Sequence, residues 1–162
     1  MKREADEKVL AANQRFYSAL ENLDFEAMEE IWLHEDWVGC VHPGWELLEG
    51  WDAVGESWRR IFENTQRMKV GVSDVRLRVE GDTAWVNCIE EVTSSYASGF
   101  STASVQATNI FVWRDGDWRL VHHHAPAVVT ARQHEDVRIG ERPGQVVGLN
   151  EARKPHPAGP FR

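Results

Sequence analysis

Hydrophobic and polar positions divide this chain into helix-spaced and strand-spaced segments. Val9, Leu10, Asn13, Phe16, Tyr17 and Leu20 fall on one stripe at spacings of three and four, which predicts a helix over 4–22. The ENLD stretch breaks the stripe. Asp24 then reads as an N-cap for a short second helix whose apolar side is Phe25, Met28, Ile31 and Trp32. WVGCVH (37–42) reads as a short strand, Pro43-Gly44 as a turn, and WELLEG as the lead into a third helix over 51–64, with Val54, Trp58, Ile61 and Phe62 buried. Beyond it the period drops to two. Segments 68–80, 83–96, 101–114 and 117–125 read as strands, joined by turn signals at Gly81-Asp82, Ser98-Gly99 and Asp115-Gly116.

Long strands after segregated helices make an α+β pattern, an antiparallel meander with three helices against it. Three helices cover one face of such a sheet, so the other needs water or a second subunit. The segment 127–162 carries most of the prolines and no sustained periodicity, which predicts a domain over 1–126 followed by an extended C-terminal tail.

Composition narrows the function classes. A formal net charge of −8 argues against nucleic acid as the main partner, because phosphate binding needs a basic face. No run approaches the roughly 18 apolar residues of a membrane span. The charged start MKREADEKVL lacks the apolar core of a signal peptide. Cys40 and Cys88 sit far apart in apolar stretches, which reads as two buried free thiols and fits a cytoplasmic protein. Eight tryptophans provide large rings for a core or for the walls of a ligand cavity.

Candidate chemistry centres on histidine and glutamate. In WRLVHHHAP (118–126), strand alternation puts His122 and His124 on the side of Trp118 and Leu120, and His123 on the side of Arg119 and Val121. Two histidines spaced i, i+2 can bind zinc, but no third ligand stands at a matching spacing, so no metal is expected. In NCIEEV, Glu90 has the parity of Val86, Cys88 and Val92, the more apolar side of its strand. A carboxylate there needs a partner or a raised pKa, and His123 or His42 would serve. Two readings stay open: an acid–base unit or a structural ion pair. The serines show no elbow or triad spacing, and no phosphate loop or dinucleotide glycine motif is present.

QRFYSALENLDFEAMEEIW, WVGCVHPGWELLEGWDAV and FVWRDGDWRLVHHHAP together resemble the SnoaL-like branch of the nuclear-transport-factor-2-like superfamily. The last stretch also resembles the association domain of calcium/calmodulin-dependent kinase II. The resemblance implies a curved sheet wrapped around helices, a cone with a pocket at its open end, and homodimers made through the outer sheet face. Matching the ketosteroid isomerases of this fold places His42 where those enzymes carry an aspartate base, and Asn109 where they hold a pocket carboxylic acid. It points Phe111, Trp113, Val121 and His123 inward. Phe16 stands where they carry a tyrosine donor, and Tyr17 beside it points about 100° away around the helix. Matching the association domain places Glu90 at that family's pocket arginine.

These departures argue against steroid isomerase activity. The expectation is a small-molecule-binding protein, with His42, Glu90 and His123 as the proton-handling set. Asn109, Tyr17, Phe16, Trp37, Trp58, Phe111 and Trp113 are the candidate ligand-binding residues. The reaction class would be a cofactor-free isomerisation, cyclisation, dehydration or hydrolysis of a small apolar or aromatic substrate. The alternative is a non-catalytic homo-oligomeric assembly or ligand-binding domain. A strand-capping role at the rim remains the competing reading of His42.

Overall fold

The computed structural model describes residues 1–127, so the tail expected over 127–162 falls almost wholly outside the described residues. Three helices, α1 (Lys2–Asn22), α2 (Phe25–Ile31) and α3 (Trp51–Asn64), accompany six strands. The strands are β1 (Gly39–Val41), β2 (Leu48–Glu49), β3 (Arg67–Glu80), β4 (Thr83–Tyr96), β5 (Gly99–Arg114) and β6 (Asp117–His124). They form one curved sheet in the order β2-β1-β6-β5-β4-β3, an α+β architecture.

Local sequence explains the element ends. Asp24 accepts a hydrogen bond from the Ala27 N–H at 3.0 Å, which caps α2 as expected. The β5–β6 turn places both Asp115 and Gly116 at positive φ, the geometry that a two-residue hairpin twisting with its strands requires. Helix α1 buries Val9, Ala12, Asn13, Phe16, Tyr17, Ala19 and Leu20. Leu10, expected on that stripe, is 40% exposed, because one step from Val9 turns it away from the buried face.

Three features depart from the sequence reading. WELLEG supplies a two-residue strand, β2, antiparallel to β1, where a helix lead-in was expected. Strand β1 runs parallel to β6, so the sheet is mostly rather than wholly antiparallel. The third departure is a β-bulge. Ile110 pairs with His122 and the next residue, Phe111, pairs with Leu120, so Val121 is an extra residue on β6. Trp118 and Leu120 are therefore buried on the same face as His123, whereas His122 is half-buried and His124 exposed. Simple alternation, which grouped Trp118 and Leu120 with His122 and His124, fails at this one residue.

A second bulge lies in β3, where Ser73 pairs with Ile89 but Arg76 with Asn87. The inward set switches there from Met68, Val70 and Val72 to Leu77 and Val79. Bulges bend and twist the strand that carries them, and both help the sheet curve around the helices. On its inner face β4 presents Ala84, Val86, Cys88, Glu90 and Ser94, while β5 presents Val105, Ala107, Asn109 and Phe111.

Candidate functional site

One end of the sheet interior is a cavity of about 560 Å³, lined among others by His42, Trp45, Trp58, Glu90, Val105 and His123. Its polar wall is a hydrogen-bonded chain that begins on α1. Asn109 Nδ2 donates to Asn13 Oδ1 at 2.8 Å and to the Tyr17 hydroxyl at 3.0 Å. Tyr17 donates to Glu90 Oε1 at 2.6 Å. The Tyr17 oxygen also lies 3.2 Å from Cys88 Sγ. Asn109 Oδ1 lies 2.6 Å from His123 Nδ1.

Counting donors fixes the protons. Both Asn109 amide hydrogens are used, so its oxygen is the acceptor and His123 Nδ1–H is the donor. His123 Nε2 is then the lone-pair nitrogen. It faces Glu90 Oε1 at 3.9 Å, too far for a direct hydrogen bond. Asn109 is therefore the fixed centre of the wall: it orients His123 on one side and Tyr17 on the other.

Burial sets the charge states. Desolvation raises the Glu90 carboxyl to about 7 against the partial opposition of the Tyr17 hydrogen bond. Desolvation holds His123 well below its usual range, and the charge of a protonated His42 would push it lower. The pair is thus not a salt bridge at neutral pH despite its proximity. It is a carboxyl group poised between its two forms beside a neutral imidazole. Burial, then the neighbouring Glu90 charge, pushes the Tyr17 hydroxyl up, so it remains a donor.

His42 takes a different position. Ser57 donates its one hydroxyl hydrogen to the Val54 carbonyl at 2.6 Å. The His42 Nε2–Ser57 Oγ contact at 2.8 Å therefore has His42 as donor. The Cys40 sulfur lies 3.7 Å from Nε2 and 3.9 Å from Nδ1, beside the ring rather than at one nitrogen. Desolvation lowers His42 to about 4, so it too is neutral at pH 7. Its ring meets Trp58 edge-on at 4.5 Å.

The structure brings His42, Trp58, Glu90 and His123 onto one cavity. Tyr17, Asn109, Phe16 and Phe111 are buried behind them: the first two in the hydrogen-bonded chain, Phe16 with its ring 4.9 Å from His123, and Phe111 in the apolar core. Tyr17 is not turned away from the site, since the buried arc of α1 is wide enough to hold both Phe16 and Tyr17. Trp37 and Trp113 are not brought to the cavity. Trp37 precedes β1 and is 51% exposed. Trp113 packs against Trp118 at 5.6 Å, with Lys8 over its ring. Two contributors escaped the sequence reading. Asn13 was legible as a polar residue on an apolar stripe, whereas Ser57 gave no signal. Among the described residues no group of three or more His, Cys, Asp or Glu side chains is placed to hold a metal ion. No described helix is long and apolar enough to cross a membrane.

Comparison with known proteins follows the same lines. The F-box protein SKIP8 of Arabidopsis thaliana is 30% identical over 121 residues, covering 75% of this chain and 50% of that protein, so the chain spans about half the length of this curated relative. A provisionally assigned dehydratase of the NTF2-like family from Streptomyces avermitilis is 35% identical, with a TM-score of 0.76 over 80% of this chain and 100% of that one. A provisionally assigned calcium/calmodulin-dependent protein kinase type II association domain from Thiobacillus denitrificans is 30% identical, with a TM-score of 0.65 over 73% of this chain and 93% of that one. The SnoaL-like domain model matches residues 9–130. With that match spanning most of its length and a cone of helices and curved sheet to fit, the chain belongs to the SnoaL-like family within the NTF2-like fold.

Proposed function

We propose that this protein is a cofactor-free acid–base enzyme acting on a small, largely apolar molecule held in the cavity. The observation that carries the reading is the Glu90–His123 pair: a carboxyl group titrating near 7, 3.9 Å from the lone-pair nitrogen of a neutral imidazole. A general acid works best when its pKa lies near the working pH. Protonated Glu90 delivers a proton to an oxygen of the substrate. His123 Nε2 takes one from a neighbouring carbon, hydroxyl or attacking water, and a hydroxyl or water between the two groups relays it to Glu90 to close the cycle. Isomerisation, cyclisation, dehydration and hydrolysis all fit this exchange, and the provisional dehydratase assignment of the Streptomyces relative falls within the set. His42, fixed by Ser57, keeps a wall role and is the third proton-handling candidate.

The test is a turnover screen with small ketones, enones, hydroxyketones and lactones. Wild type is expected to turn over at least one class. Glu90→Gln and His123→Phe should each lower kcat/KM by about 10²–10⁴. No turnover in any class, or turnover indifferent to Glu90→Gln, contradicts the reading. A homodimer through the outer sheet face is part of the proposal. The likeness to the Thiobacillus association domain favours a second reading, a non-catalytic assembly module. A larger ring by light scattering, with no small-molecule uptake, would select it.

A further inference from the structure

We infer that the cavity takes an uncharged ligand bearing a hydroxyl group, which bridges His123 Nε2 and Glu90, and that it rejects carboxylates and other anions. The inference rests on the acid–base reading of the pair and goes further by naming the ligand class.

The proton inventory carries it. Asn109 commits His123 Nδ1–H, so the imidazole offers its Nε2 only as an acceptor. Tyr17 occupies Glu90 Oε1, which leaves Oε2 to carry the carboxyl proton. Among the described residues neither His123 Nε2 nor Glu90 Oε2 has a hydrogen-bond partner, yet both residues are nine-tenths or more buried and line the cavity. The Glu90–His123 pair therefore presents one strong acceptor and, beside it, one group that donates when protonated. A hydroxyl matches both at once: its hydrogen goes to Nε2 and its oxygen accepts from Glu90. Nε2 lies 3.9 Å from Oε1 of the same carboxyl, so the two groups stand side by side on the cavity wall, where a single hydroxyl can address both. A methyl ether keeps the acceptor and loses the donor, leaving Nε2 unpaired.

Charge excludes the anions. Among the described residues the only Lys or Arg side chain lining the cavity is Arg60, which is exposed and paired with Glu56 at 2.9 Å. A carboxylate at the pair would meet the Nε2 lone pair and the Glu90 carboxyl, with no cation beside them among the described residues to offset its desolvation. Trp45, Trp58 and Tyr96 on the lining suit a flat apolar body behind the hydroxyl.

The test titrates the wild-type protein with phenol, anisole, benzoate and benzylamine, followed by nuclear magnetic resonance. Phenol is expected to bind about tenfold more tightly than anisole, with benzoate weaker still. His123→Phe should shrink the phenol-over-anisole preference to about twofold or less, with a melting curve to show that the variant folds. Equal binding of phenol and anisole, preference for benzoate or benzylamine, or no uptake of phenol at millimolar concentration overturns the inference. Phenol selectivity in a protein without turnover would sink the catalytic reading alone. Turnover of substrates lacking a hydroxyl would sink the ligand class alone.

Discussion

The inner face of β4, β5 and β6 has two halves that share strands but not chemistry. At one end Ala84, Phe111, Trp118 and Leu120 meet as close-packed hydrocarbon, each no more than 3% exposed. At the other, Cys88, Glu90 and Asn109 hydrogen-bond to Asn13 or Tyr17 of α1, and His123 joins them through Asn109. The Val121 bulge stands at the junction on β6. The extra residue lets one strand give Leu120 to the first half and His123 to the second. Were Val121 instead paired in regular alternation, a strand that buried Leu120 would aim His122 and His124 inward and His123 out. The apolar half holds the fold, and the polar half gives up some stability for groups that can exchange protons.

The most disruptive way to break this arrangement is Phe111→Ala in the apolar half, expected to cost about 3–5 kcal/mol through the cavity it leaves. The same variant should leave the Glu90 titration near 7, because Phe111 takes no part in the hydrogen-bonded chain. A large Glu90 shift in this variant would show that the halves are coupled.

The polar half has the opposite signature: its contribution depends on pH. Folding raises Glu90 from about 4.5 to about 7, so the folded state holds the extra proton between those values. That contribution is fully present below the unfolded value and lost as pH rises through the folded one, by roughly 3 kcal/mol. His42 runs the other way. Its folded value of about 4 lies below 6.5, so its contribution is present above 6.5 and lost as pH falls toward 4. Wild type should therefore lose more stability than Glu90→Gln between pH 5 and pH 8, and parallel curves for the two would contradict the raised carboxyl. The smallest effect is expected outside the cone. His124→Ala should change stability by no more than about 0.5 kcal/mol and leave ligand uptake intact.

How much the sequence disclosed follows the same division. Helix α3 and strand β4 match their expected spans because regular periodicity marks both elements along their whole length. The inward side of Glu90 was legible because β4 runs without a bulge against β5. On β6 the alternation broke at Val121, and the inward assignment of His123 came from family resemblance instead. The two-residue β2 is too short for any period to show. Trp37 was grouped with the cavity by residue type, yet it lies just outside a strand of only three residues, and type alone does not fix direction. Asn109 as the hub of the wall was out of reach of any pattern, since Asn13 and His123 converge on it from 96 and 14 residues away.

The central claim is that burial holds Glu90 as a half-protonated acid beside a neutral His123. Carbon-13 nuclear magnetic resonance of the Glu90 side-chain carboxyl, titrated from pH 4 to pH 9 and assigned by its disappearance in Glu90→Gln, tests it most directly. The account predicts a midpoint near 7. A midpoint in the ordinary carboxylate range, near 4.5, would contradict it.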